Sequence, residues 1–137
     1  MELTLALIKP DAVERKLIGT IISIIEQEGF KIDAMCMIHL TLDNAKRFYH
    51  EHASAPFFEK LCEYMSSGPL VALGLQKENA VAAFRELIGA TNPAQAAEGT
   101  IRKLFATSVG ENAIHGSDSD ENALIEGSFM FSGLEQC

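Results

Sequence analysis

The stretch "KIDAMCMIHLT", residues 31–41, decides how the chain folds. Ile32, Ala34, Cys36, Ile38 and Leu40 fall on one face, and Asp33, Met35, Met37, His39 and Thr41 on the other. A period of two marks a strand, and polar members in the second set predict a strand covered on one side. Upstream the period changes. Ile18, Ile21, Ile22 and Ile25 are spaced i, i+3, i+4, i+7, one stripe of a helix closed by Gly29. Before that helix, "LTLALIK" at 3–9 is a short apolar run ended by Pro10, which reads as a buried strand.

Downstream, Thr41 starts a helix through "TLDNAKRFYHEH", and Pro56 starts another, "PFFEKLCEYMSSG". "GPLVALGLQ" at 68–76 is a third strand, and "ENAVAAFRELIG" at 78–89 a helix closed by Gly89. Residues 90–100, "ATNPAQAAEGT", lack an apolar stripe and form a loop about as long as connections ordinarily get, which suggests a task for it. "TIRKLFATS" reads as a brief helix, "ENAIHG" as holding a short strand, and "SDENALIEGSFMF" as the last helix. The order β-α-β-α-α-β-α-loop-α-β-α predicts an α+β fold. It is a ferredoxin-like split β-α-β with a four-stranded antiparallel sheet and helices on one face.

The 137 residues form one expected domain, 1–137, long enough for a core without disulfides or metal. No apolar run reaches the roughly 18 residues needed to cross a bilayer, so no membrane association is expected. The start "MELTLALIKPD" lacks a basic n-region and a small-residue cleavage site, so no secretory leader is expected. Cys36, Cys62 and Cys137 are widely spaced and suggest neither a disulfide framework nor a zinc site; a cytoplasmic setting is expected. Acidic residues outnumber basic ones 19 to 11, a formal charge of −8, which argues against strong nucleic-acid binding. A phosphate-bearing small ligand is still allowed if the few cations gather at one site.

The cations and one histidine suggest such a site. Lys9 ends the first strand, Arg85 sits late in a helix, and Arg102 follows the long loop, with Thr91 and Asn92 between them. Each alone reads as a solvated side chain. Together they are three fixed charges beside hydroxyls and amides, as polyphosphate binding requires. His115 lies in "NAIHGSDSD", residues 112–120. Gly116 permits a tight turn and close approach, Ser117 offers a hydroxyl, and Glu126 in the next helix could orient the ring. A neutral histidine beside a phosphate clamp can attack a terminal phosphate and form a covalent intermediate. A metal centre is disfavoured, because His50 and His52, at i and i+2, do not share a helix face.

"NAIHGSD" resembles the active-site signature of the nucleoside diphosphate kinase family. "LALIKPDAV" at 5–13, "FYHEH" and "PFF" at 48–58, "MSSGP" at 65–69, "GATNP" at 89–93 and "GTIR" at 99–102 follow in that family's order and spacing. The resemblance spans essentially the whole chain. It implies a ping-pong kinase that passes the terminal phosphate of ATP or another nucleoside triphosphate to a nucleoside diphosphate through His115 Nδ1, maintaining triphosphate pools. Glu126 and Ser117 would hold the ring. Lys9 and Arg102 would grip the transferring phosphate with Tyr49 close by, and Arg85 and Thr91 would hold the inner phosphate. Asn112, with Lys9, would meet the ribose. Phe57 would stack on the base with Val109 beside it, so base selectivity should be low. Mg²⁺ would be held mainly by phosphates and water. A homotetramer or homohexamer is implied. The alternatives are a non-catalytic nucleotide-sensing module and a protein-histidine phosphorelay.

Three features depart from that family's pattern. Lys103-Leu104 follow "GTIR" where Gly or Ala and then Asp are usual. Gly127 and Ser128 follow Glu126, so a shorter or frayed last helix is expected, since Gly inside a helix costs about 1 kcal/mol relative to Ala. The sequence ends at Cys137, so the long C-terminal extension of eukaryotic members is expected to be missing. Asp118 reads as a cap of the last helix or as a tether of the first loop through Arg15, not as catalytic.

Overall fold

Residues 2–108 and 111–131 are described by the computed structural model. Four strands, β1 (Glu2–Ile8), β2 (Lys31–Ile38), β3 (Leu70–Lys77) and β4 (Ile114–Gly116), form one antiparallel sheet in the order β2-β3-β1-β4. The helices are α1 (Pro10–Glu14), α2 (Ile18–Gln27), α3 (Leu42–Phe48), α4 (Phe58–Met65), α5 (Ala80–Ile88), α6 (Ile101–Phe105) and α7 (Asp120–Met130). The predicted α+β order stands, with one short helix added. That helix is α1, with Pro10 in its first turn. Proline suits this position because its missing N–H would have no partner there anyway.

The helices do not lie on one face, as expected from the sequence, but on both. Ala6 and Ile8 of β1 pack with Ile21 and Ile25 of α2 and with Phe84 and Ile88 of α5. Leu5 and Leu7 of the same strand pack with Ala45 and Phe48 of α3, Phe58, Cys62 and Met65 of α4, and Met130 of α7. β1 is therefore a central strand buried on both sides, which is why "LTLALI" shows no alternation.

β2 lies at the sheet edge, and its alternation breaks once. Ile32 pairs with Leu75 and Ala34 with Gly74, so Asp33 is an extra residue in a bulge. Ile32 thereby sits on the α2/α5 face while Ile38 sits with Leu40 on the other, and the five residues expected to share a face do not all do so. Met35 and Met37 remain exposed.

Some bounds move inward. Pro56 and Phe57 precede α4 as turn, and the segment after α3 is a 3-10 turn, His50–His52. Thr41, Thr100 and Ser119 cap α3, α6 and α7 through their hydroxyl oxygens. The expected fraying of the last helix at Gly127 is not seen, since α7 runs on to Met130. Asp118 neither caps α7 nor reaches Arg15: it accepts a bond from Asn122 Nδ2, while Arg15 donates to the Phe105 carbonyl. Cys36 is disulfide-bonded, which the cysteine spacing did not suggest, and Cys62 is a buried free thiol. No helix among the described residues is long and apolar enough to cross a membrane.

Candidate active site

A cleft of about 830 Å³ opens where the C-terminal end of β1 meets β4, walled by the loop after α5, by α6 and by the segment between α3 and α4. Lys9, Arg85, Thr91, Arg102 and Asn112 line it, as do Tyr49, Phe57, His115 and Glu126. These residues lie up to 117 positions apart in sequence and are gathered by the sheet order. Ser117 stands just behind the wall, fully buried. Val109, expected beside the base, lies outside the described residues.

His115 is set in place by the backbone before it. Asn112 O accepts from Ile114 N at 2.9 Å, around Ala113 at φ +74°. This is a γ-turn of the rare positive-φ form, a strained conformation for an alanine. The Ala113 carbonyl accepts from Lys9 N at 2.9 Å, tying the turn to the end of β1. Gly116 serves packing more than ligand access: a Cβ there would stand 2.8 Å from the Phe84 ring.

The ring is then oriented from one side. His115 Nε2 lies 3.1 Å from Glu126 Oε1. A carboxylate only accepts, so Nε2 carries the proton and the lone pair of the neutral ring is on Nδ1. Ser117 was expected to hold the ring as well. Its hydroxyl instead donates to Glu126 Oε1 at 2.6 Å, so it fixes the carboxylate that fixes the ring. Phe48 and Tyr49 meet the imidazole edge-on at 5.8 and 6.3 Å between centroids. The Tyr49 hydroxyl is buried with no hydrogen-bond partner among the described residues, and burial, then Glu126, raises its pKa. It is a donor without an acceptor, at the wall of the cleft.

The cations Lys9, Arg85 and Arg102 line the same cleft. Arg102 donates to Gly89 O at 3.0 Å and to Ile114 O at 2.8 Å, which locks the long loop against β4. Its Nε is buried without a partner among the described residues. Lys9 Nζ donates to Asn112 Oδ1 at 2.8 Å, and Asn112 Nδ2 in turn to Thr91 O at 3.3 Å. Burial first, then Arg102, lowers Lys9 to about 8, with Asp11 opposing. Burial and then Arg85 lower Arg102 to about 10. Both directions express the cost of crowding desolvated cations, a cost that an anion would remove. Among the described residues, none of Lys9, Arg85 and Arg102 is in a salt bridge.

Phe57 and Phe58 divide as their sequence alone could not decide. Phe58 is 8% exposed in the core and Phe57 is 52% exposed at the cleft mouth. His52 lies 5.8 Å from the Phe57 ring, a neighbour that sequence reading did not single out. The same holds for Phe48 and for Tyr64, whose hydroxyl accepts from Asp11 N at 3.1 Å and donates to Asp11 Oδ1. These act through contacts between distant elements, and only the "KPD" placement of Asp11 gave any signal. Among the described residues no three His, Cys, Asp or Glu side chains gather as a metal site. The cations fit phosphate oxygens, and a divalent ion carried by those oxygens has the Asp118 carboxylate at the same cleft.

A family model described as nucleoside diphosphate kinase matches residues 2–136. The chain is 59% identical to a nucleoside diphosphate kinase of Flavobacterium psychrophilum, over 97% of this chain and 96% of that one. It is 57% identical to one of Lawsonia intracellularis, with 99% of each covered. Among solved structures, the Aquifex aeolicus nucleoside diphosphate kinase superposes with a TM-score of 0.95 at 47% identity, covering 99% of both chains.

Proposed function

The chain belongs to the nucleoside diphosphate kinase family, and we propose that it works in two half-reactions through His115. The enzyme transfers phosphate between nucleotides, the activity of that family. In the first half-reaction His115 Nδ1 attacks the terminal phosphorus of a nucleoside triphosphate, and the diphosphate leaves. In the second, a nucleoside diphosphate takes the phosphoryl group from Nδ1. The observation that carries this reading is the one-sided hold on the ring. Glu126 occupies Nε2, so Nδ1 is the free nitrogen, in a cleft whose three cations have no salt-bridge partner among the described residues.

Transfer of this kind is mostly positioning and charge stabilisation. Lys9 and Arg102 hold the transferring phosphate, and the Tyr49 hydroxyl donates to it. Arg85 and Thr91 hold the inner phosphate. Asn112 presents its amide to the ribose, and Phe57 stacks on the base. Glu126, fixed by Ser117, stabilises the ring as it gains positive charge. The family works with a divalent cation; we take it to be Mg²⁺, which when bound neutralises charge on the phosphate oxygens.

The family is oligomeric, and we expect a homotetramer or homohexamer of single-domain chains. The edge strand β2, with Met35 and Met37 exposed, supports self-association. The cytoplasm is the compartment its substrates suggest, and the Cys36 bridge would there be open to reduction. The test is a transfer assay with ATP as donor and GDP, CDP, UDP and TDP as acceptors. Turnover of all four at similar rates is expected. Tight ADP binding without transfer would favour a nucleotide-sensing module instead.

A further inference from the structure

α4 presents two stripes. Phe58, Cys62 and Met65, spaced i, i+4, i+7, are buried in the cluster that holds Leu5 and Leu7 of β1. Phe57, Lys60, Leu61 and Tyr64 line the nucleotide cleft. Phe57 belongs to the same rigid piece, because its carbonyl accepts from Leu61 N at 3.0 Å. Tyr64 lies two turns further on, roughly 10 Å along the axis. Apolar burial is non-directional, so the first stripe holds α4 down on the sheet but resists a turn about its axis poorly. Such a turn would swing the whole second stripe, Phe57 included.

A directional contact opposes that turn. The Tyr64 hydroxyl accepts from Asp11 N at 3.1 Å and donates to Asp11 Oδ1, so one phenol from α4 holds both backbone and side chain of a residue in α1. Asp11 is buried in the first turn of α1 and is tied to the phosphate end of the cleft. Pro10, whose ring fixes its φ, separates it from Lys9. The Lys9 carbonyl accepts from Ala12 N at 3.0 Å and from Val13 N at 3.1 Å, and Lys9 N donates to Ala113 O at 2.9 Å. Breaking the phenol contact would leave a buried N–H and a buried carboxyl oxygen unpaired, which makes it costly to lose. Two other polar ties of α4 are exposed: Lys46 Nζ to Glu59 Oε2 at 3.7 Å, and His39 Nε2 to Ser66 O at 2.9 Å just past its end. Exposed ties of this kind hold little.

We propose that Tyr64, through its two hydrogen bonds to Asp11, is a positioning residue that sets the span between the base platform at Phe57 and the phosphate end of the cleft. The inference rests on the proposed stacking of Phe57 on the base. A contact that only fastened α4 to α1 would add stability and leave nucleotide affinity alone. The two roles separate in the coupling between Tyr64 and Phe57, read as KM for ATP in a double-mutant cycle.

Tyr64→Phe keeps the ring in the cleft wall and removes both hydrogen bonds. It should raise KM for ATP at least about threefold with kcat little changed, the pattern of lost uniform binding. In a Phe57→Ala background, which has no platform to misplace, the same substitution should leave KM unmoved. Asp11→Asn keeps an acceptor for the phenol and should raise KM less than Asp11→Ala. An unchanged KM in Tyr64→Phe, whatever the melting temperature does, overturns the proposal; so does an increase that persists in the Phe57→Ala background. If Tyr64→Phe does not fold, Asp11→Ala is carried through the same cycle on the same criterion. Phe57→Ala alone checks the stacking role. If its KM matches the parent, that role fails and the role of Tyr64 falls with it, whereas a raised KM beside an unmoved Tyr64→Phe sinks only the role of Tyr64.

Discussion

Gly89→Ala should damage both the fold and the site. Gly89 has φ +87° and ψ −177°, a region that essentially only glycine occupies. Forcing alanine into it costs about 1–3 kcal/mol. The added Cβ would also stand 2.5 Å from Thr100 Oγ1 and 2.7 Å from Thr100 Cβ. Thr100 cannot move aside freely, because its hydroxyl caps α6 and donates to Ala97 O. Overpacking of this sort costs about 1–3 kcal/mol more. The total of about 2–6 kcal/mol corresponds to a melting temperature lower by on the order of 10 °C for a chain of this size. Gly99→Ala is the control: it has φ +85° but nothing within 4 Å of its Cβ, so it suffers backbone strain alone. Thermal denaturation at fixed protein concentration compares the two. Gly89 O also accepts from Arg102, so kcat/KM should fall beyond what the lost stability explains. A Gly89→Ala protein that melts no lower than Gly99→Ala, with kcat/KM intact, would refute the reasoning.

Three further outcomes follow from the site. The depressed Lys9 pKa means that between about 8 and 10.5 the folded chain binds fewer protons than the unfolded one. Its contribution to stability therefore rises with pH across that window, and the unfolding free energy of the parent relative to Lys9→Met should grow between pH 8 and 10 in urea titrations. Glu126→Gln keeps the shape but removes the charge behind the ring; stopped-flow phosphorylation should slow by about 10²-fold or more with little change in melting. Phe57→Ala should raise KM roughly 5- to 150-fold, the equivalent of about 1–3 kcal/mol of stacking, to a similar extent for purine and pyrimidine nucleotides. A large kcat effect without a KM effect would contradict the stacking role.

The sequence carried the element order because the periods are clear in β2 and α2. It did not carry the two-sided cover of the sheet, although β1 announced it: five consecutive buried residues have no outward face. The Asp33 bulge was invisible, since a one-residue insertion leaves an alternating pattern intact while shifting which face each half serves. In the site, Lys9, Arg102 and His115 stood out as polar groups at strand and loop ends, while Asn112 came in only with the family resemblance. Ser117 was placed one contact too close to the imidazole, because spacing along the chain does not say whether a hydroxyl reaches the ring or its carboxylate. The Asp11–Tyr64 pair joins residues 53 positions apart on different elements, and only the place of Asp11 in "KPD" gave any signal of it.

The central claim is that His115 carries the phosphoryl group between nucleotides. Incubation with γ-labelled ATP and Mg²⁺, removal of nucleotide, and a chase with unlabelled GDP test it most directly. An acid-labile, alkali-stable label should appear on the parent protein, be absent from His115→Ala, and pass to GDP within one turnover. A label that survives the His115→Ala substitution, or one that GDP cannot remove, would contradict the account.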